Sequence, residues 1–194
     1  MKPVLKDQLL DSLEEQVEKH LRQCVEQFQN LSEDILLAPA TNGGWSIAQC
    51  LEHLNSYGKY YLPQIQKGLT KVQLKPNVET FRSTWLGRYF TRMMDPQTGT
   101  RKYKAFKGHI PDQNLNPYAV VAEFIQQQET LLAYIRQARH VDLNCIRIPI
   151  SILQWIRLKL GDVLQFLIAH NERHIVQAQR NIPILTSSAN SAPV

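Results

Sequence analysis

Four long stretches whose apolar residues recur three and four apart constrain this chain more than any other feature. In the first, from Leu5 to about Gln29, Leu9, Leu13, Val17, Leu21, Val25 and Phe28 form one stripe, and Glu14, Glu15, Glu18 and Lys19 lie off it. That period belongs to an α-helix with one face to bury. His20 and Cys24, four apart in the same stretch, read as ordinary packing or surface residues. The second stretch runs from Ile47 to about Lys67 and opens on Ser46 three residues before Gln49, a capping box. Pro63 is expected to kink or end this helix, because it has no N–H for the internal ladder. The third opens on Asn116-Pro117, an N-cap followed by proline at the first helical position. Val120, Val121, Phe124, Ile125, Leu131, Leu132 and Ile135 carry its apolar face to about Arg139. The fourth runs from Gly161-Asp162-Val163 through Gln179-Arg180, with Asp162 placed to cap it. A shorter helix is read over Phe81–Met94.

Residues 140–161 are apolar and contain Pro149, but they hold no sustained period, and no stretch reads as a convincing strand. Four amphipathic helices without strands must bury their stripes against one another. The expected fold is therefore all-α, a four-helix bundle with a long connection between its second and third long helices. That connection argues against a simple up-down-up-down order. One domain over residues 1–185 accommodates the 194 residues, with a frayed Ser-, Ala- and Asn-rich tail at 186–194.

No run of apolar residues is long enough to span a membrane, and Met1-Lys2-Pro3-Val4-Leu5-Lys6-Asp7 lacks the apolar core of a signal peptide. Cys24, Cys50 and Cys145 are widely spaced and odd in number, which implies reduced thiols and a cytoplasmic protein. The net charge of +5 is concentrated. Arg82, Arg88, Arg92, Arg101, Lys102, Lys104 and Lys107 face Asp95 alone over residues 82–107. This segment reads as a solvated loop with interspersed aromatics. A nucleic-acid-binding module using Arg88, Arg101 and Lys104 is the rival reading, but no recognition motif accompanies the patch and cations elsewhere do not extend it.

The chemistry sits on the fourth helix. His170 and His174 are four apart in His170-Asn171-Glu172-Arg173-His174, so both rings point to one side, the side of Val163, Leu167 and Gln177. Two polar rings on an apolar face need partners. A divalent metal bound through neutral imidazoles satisfies both at once, and bonds to neighbouring carbonyls are the plainer alternative. A zinc protease is excluded, because it needs Glu directly after the first His. Here that position is Asn171, and Glu172 lies about 200° round the helix, toward solvent or an interface. On the second helix His53 falls at the rim of the buried face with Cys50, Tyr57 and Tyr60 beside it. Metal and cofactor sites in bundles are built from facing helices, and His53 with His170 and His174 suits that scheme.

Trp45-Ser46-Ile47-Ala48-Gln49-Cys50-Leu51-Glu52-His53-Leu54, followed downstream by His170-Asn171-Glu172-Arg173-His174-Ile175-Val176-Gln177, resembles the DinB/YfiT-like superfamily. The resemblance implies a four-helix bundle, often a homodimer, with zinc or nickel held by three histidines: His53, His170 and His174 here. It also implies a metal-dependent transferase that uses a low-molecular-weight thiol as co-substrate on a small molecule, or a hydrolase. Three imidazoles leave a coordination position open, as catalytic sites do. Tyr57, Tyr60 and Gln177 are the candidates to orient a substrate, and Cys50 to close the site as a fourth ligand. The alternative in another class is a non-catalytic metal-binding or stress-response bundle.

Overall fold

The stripe of the first stretch becomes helix α1, Lys6–Gln27, with Leu10, Leu13, Val17 and Cys24 buried. The computed structural model describes residues 2–41, 43–71, 78–98 and 104–182, so the tail read at 186–194 and the cations Arg101 and Lys102 lie outside the described residues. A short helix α2, Glu33–Leu37, follows and buries Leu36. The capping box then forms as read. Ser46 Oγ accepts from Gln49 N and Gln49 Oε1 accepts from Ser46 N, both at 3.1 Å, and starts α3, Ile47–Thr70.

Pro63 does not end α3, which continues for seven more residues to Thr70. Pro63 is on the exposed side, where water can satisfy the carbonyl its missing N–H would have bonded, while Tyr61 and Ile65 stay buried on the other. Helix α4, Trp85–Met94, is capped by Thr84, whose Oγ1 accepts from Gly87 N at 2.9 Å. A 3-10 turn at Lys107–His109 precedes α5, Pro117–Ala138, which starts on its Asn116 cap. Helix α6 spans Leu160–Gln179 and takes Lys159 as N-cap. Asp162 lies in its first turn, fully buried, and its carboxylate is occupied elsewhere: it accepts from Thr84 N at 3.1 Å and Thr84 Oγ1 at 2.8 Å, tying α4 to α6.

Strands are present where the periodicity suggested none. Val4–Leu5 (β1) pairs with Thr80–Phe81 (β2), and Arg147–Ile150 (β3) with Leu153–Lys159 (β4), both antiparallel. The β3–β4 hairpin buries Ile148, Ile150 and Leu158 on the bundle. Pro149 fits because a two-stranded sheet is all edge and the register slips beside it.

The four long helices pack α1 on α5, α5 on α3, α3 on α6 and α6 on α1, so α1 and α3 stand diagonally opposite, as do α5 and α6. Chain order is therefore not spatial order. Short α4 lies outside this square, along α6. The buried apolar residues fall into two clusters. One gathers Leu10, Leu13, Val17, Tyr61, Ile65, Leu131 and Val163 with the hairpin, and the other gathers Cys24, Phe28, Leu36, Leu51, Val121, Phe124 and Ile175. Buried polar residues come from every long helix: His20, His53, Asn55, Gln128, His170, Asn171 and His174.

Candidate metal centre

Along α3, Leu51 and Leu54 belong to one apolar cluster and Tyr57 and Tyr61 to the other, and His53 stands next to Leu54, one turn before Tyr57. Along α6, Phe166 and Leu167 belong to one and Ile175 and Ala178 to the other, with His170 and His174 between. Because α3 and α6 are neighbours, the three imidazoles meet at the joint. One ring nitrogen from each lies within 4.8 Å of the others, and the residues are only 3%, 2% and 9% exposed.

Their partners decide which nitrogen faces inward. His53 Nδ1 lies 2.6 Å from the carbonyl oxygen of His109, which can only accept, so Nδ1 carries the proton and the Nε2 lone pair is free. His174 Nδ1 donates to Gln177 Oε1 at 3.0 Å, with the same consequence. His170 Nδ1 is buried without a partner, and its Nε2 stands 3.2 Å from His53 Nε2. If His170 Nε2 donates to His53, its Nδ1 is a bare buried acceptor. If Nδ1 holds the proton, that donor is orphaned and two lone pairs face each other. A cation among the three Nε2 atoms removes the repulsion, and two imidazoles on a tetrahedral zinc, each about 2.0–2.1 Å from it, hold their nitrogens about 3.3 Å apart.

Burial drives all three rings toward the neutral form that metals bind. It pushes His53 down to about 4 and His174 down to about 3. His170 is held well below the usual range by burial first and by the neighbouring imidazoles second. The donor set therefore fits a divalent transition metal.

Aromatic rings wall the group. Trp45 stacks on His174 at 5.8 Å, Phe166 on His170 at 5.6 Å, and Tyr57 meets His170 edge-on at 4.5 Å. The 3-10 turn is held by His109, whose ring stacks on Tyr57 at 3.9 Å and whose Nδ1 donates to Ser56 Oγ at 2.8 Å while that hydroxyl donates to the His53 carbonyl. The centre opens into a cleft of about 1050 Å³. Tyr61, Phe90, Met93 and Ile150 are among its apolar walls, and Lys104, Arg173 and Arg180 are its charged ones.

The profile of the DinB superfamily matches residues 16–178, and His53, His170 and His174 all lie inside that span. The chain belongs to the DinB superfamily. No curated protein matches it. A solved structure, YfiT from Bacillus subtilis, shares the fold at a TM-score of 0.52 and 17% identity, over 91% of this chain and 85% of that one. That protein is described as a probable metal-dependent hydrolase with an unusual four-helix bundle topology.

Of the other side chains singled out in this DinB chain, Tyr57 and Gln177 line the cleft. Tyr60 packs edge-on against Tyr61 and is not among the lining residues. Cys50 lies in the apolar cluster with Leu51 and Phe28, where burial pushes its thiol up to about 12, and the close group of ligand atoms among the described residues is the three imidazoles. Glu172 is partly exposed, and its carboxylate is engaged within the chain. It bonds Lys19 Nζ and the buried His20 Nε2, each at 2.8 Å, and His20 first, then Lys19, hold its carboxyl down to about 2. His109 carried no sequence signal, because it orients His53 through a backbone carbonyl that any residue would supply. Among the described residues, no helix is long and apolar enough to cross a membrane.

Proposed function

We propose that this chain is a metal-dependent enzyme that holds a divalent metal on Nε2 of His53, His170 and His174 and transfers a low-molecular-weight thiol to a small electrophile. The convergence of three buried, neutral imidazoles at the foot of a cleft carries this reading. Zinc or nickel held by these three ligands would supply the Lewis acidity that makes a thiol a nucleophile near neutral pH. The protein's own groups do the rest. The His109 carbonyl and Gln177 lock the His53 and His174 rings with Nε2 inward. Trp45, Tyr57 and Phe166 exclude water from the imidazoles. Burial pushes the Tyr57 phenol up to about 12, so it keeps its proton and is suited to donate a hydrogen bond to a substrate, not to act as a base. Aromatic, apolar walls suit a soft sulfur nucleophile. Hydrolysis is the second reading, favoured by the description of YfiT, which shares the fold.

The test is metal content of protein purified without a histidine tag, followed by turnover of a thiol with an electrophile. About one equivalent of metal is expected, with thiol-dependent turnover lost in His170→Ala. Product formed at an unchanged rate without thiol selects the hydrolase, and protein that takes up neither zinc nor nickel removes the enzyme reading.

A further inference from the structure

The charges lining the cleft are one-sided. Lys104, Arg173 and Arg180 line it, and no Asp or Glu is among its described lining residues. Acidic partners are engaged away from the cleft: Glu172 by Lys19, Glu52 and Glu123 by Lys59, Glu14 by Arg136 and Arg139. Among the described residues, no ion pair includes Lys104 or Arg180, and both are exposed. The placement on α6 is regular. Arg173, Gln177 and Arg180 are spaced by four and three, so they run along one face that continues from the histidines toward the helix end. Arg173 also bridges to α4, where its Nη1 donates to the Met93 carbonyl at 3.4 Å. The remaining walls are apolar: Tyr61, Phe90, Met93, Ile150 and Phe166.

We propose that the cleft selects a small organic anion with an apolar or aromatic body, seated with its anionic end toward Lys104, Arg173 and Arg180 and its body against Tyr61, Phe90 and Phe166. Lys104 and Arg180, in no ion pair among the described residues, stand at a cleft whose described lining holds no acid. Such cations beside a low-dielectric wall attract an anion and penalise a cation of the same shape. The apolar walls reward a body that buries its surface. The inference names the substrate class of the site proposed above. It does not require the metal, because the three cations lie outside the imidazole group.

A matched trio of probes tests it: 4-phenylbutyrate, 4-phenylbutanol and 4-phenylbutylamine share one body and differ in charge. Their affinities are measured by calorimetry on the whole protein, zinc-loaded and chelator-treated, and on a Lys104→Gln/Arg180→Gln double variant. Both substitutions are on exposed side chains, so folding is preserved. The acid is expected to bind at least about tenfold more tightly than the amine in both metal states. The double variant should lose most of that preference while its affinity for the alcohol stays unchanged. Equal affinity for acid and amine, no detectable binding of the acid, or a preference untouched by the double variant overturns the proposal. A preference seen only in the zinc-loaded protein also overturns it, since the carboxylate would then be a metal ligand. A preference that persists in protein unable to take up metal leaves it standing while the metal reading fails.

Discussion

At the residue scale, what distinguishes the three histidines from ordinary core residues is how their outer nitrogens are fixed. Gln177 is the one orienting side chain that can be changed without touching a ligand, because the other orienting acceptor is the His109 backbone. Gln177→Leu removes the acceptor for His174 Nδ1 and frees the ring to turn or change tautomer. Metal affinity, read by competition with a chelating dye, is expected to fall about 10–100-fold. Gln177→Glu keeps an acceptor and should hold affinity near the parent's; an unchanged affinity in the leucine variant would mean the hydrogen bond orients nothing. The pair His170 and His174 was legible because helical spacing alone puts them on one face. Cys50 was misleading for a related reason. It is one turn from His53, yet adjacent turns of α3 face different neighbours, and its thiol packs into the cluster around Leu51 and Phe28. His109 acts through its carbonyl, and no pattern of residue types marks such a role.

At the scale of elements, the long helices were legible to within a few residues because period and caps agreed, as at Ser46 and Asn116. The β3–β4 hairpin was not. Its alternation of Ile146, Ile148 and Ile150 is only three residues deep, and Pro149 and the register slip interrupt the signal. Helix α4 was readable as a helix but not as a wall of the site. Its seat on α6 depends on Gly87, where an added Cβ would stand 2.2 Å from Asp162 Cγ. That carboxylate cannot swing aside, because Thr84 holds it with backbone and hydroxyl together. Gly87→Ala should therefore push α4 outward and cost about 1–3 kcal/mol, measured as a lowered urea midpoint. Tyr89, Phe90, Met93 and Met94 reach the cleft from α4, whereas the imidazoles stand on α3 and α6. The variant should bind phenylbutyrate more weakly while its metal stoichiometry stays at the parent value. Loss of both together would show that α4 supports the metal centre as well as the cleft.

At the scale of the molecule, a polar layer divides the core, and its cost depends on pH. In the unfolded chain a histidine takes a proton near pH 6.5; in the folded metal-free protein His53 waits until about 4 and His174 until about 3. Between those limits the unfolded state binds more protons, so stability must fall as pH falls. The slope is about 1.4 kcal/mol per pH unit for each titrating ring. Above pH 6.5 the unfolded rings are neutral as well, and the term vanishes. His20, lowered by burial, adds in the same direction, whereas Glu172, held down to about 2, contributes only in the more acid window below its ordinary 4.5. A bound metal competes with protons for the same Nε2 lone pairs. Metal present at 100 times its dissociation constant should stabilise the protein by about 2.7 kcal/mol, and this increment should disappear over the same acid range. Urea midpoints measured from pH 8 to pH 5, with and without zinc, check both terms. The metal-free midpoint should be level above about pH 6.5 and fall below it, with a shallower fall in His174→Gln, which has one fewer titrating ring. A level midpoint across the whole range would mean that the imidazoles are hydrated in solution, and the dry, neutral donor set on which the metal centre depends would not exist.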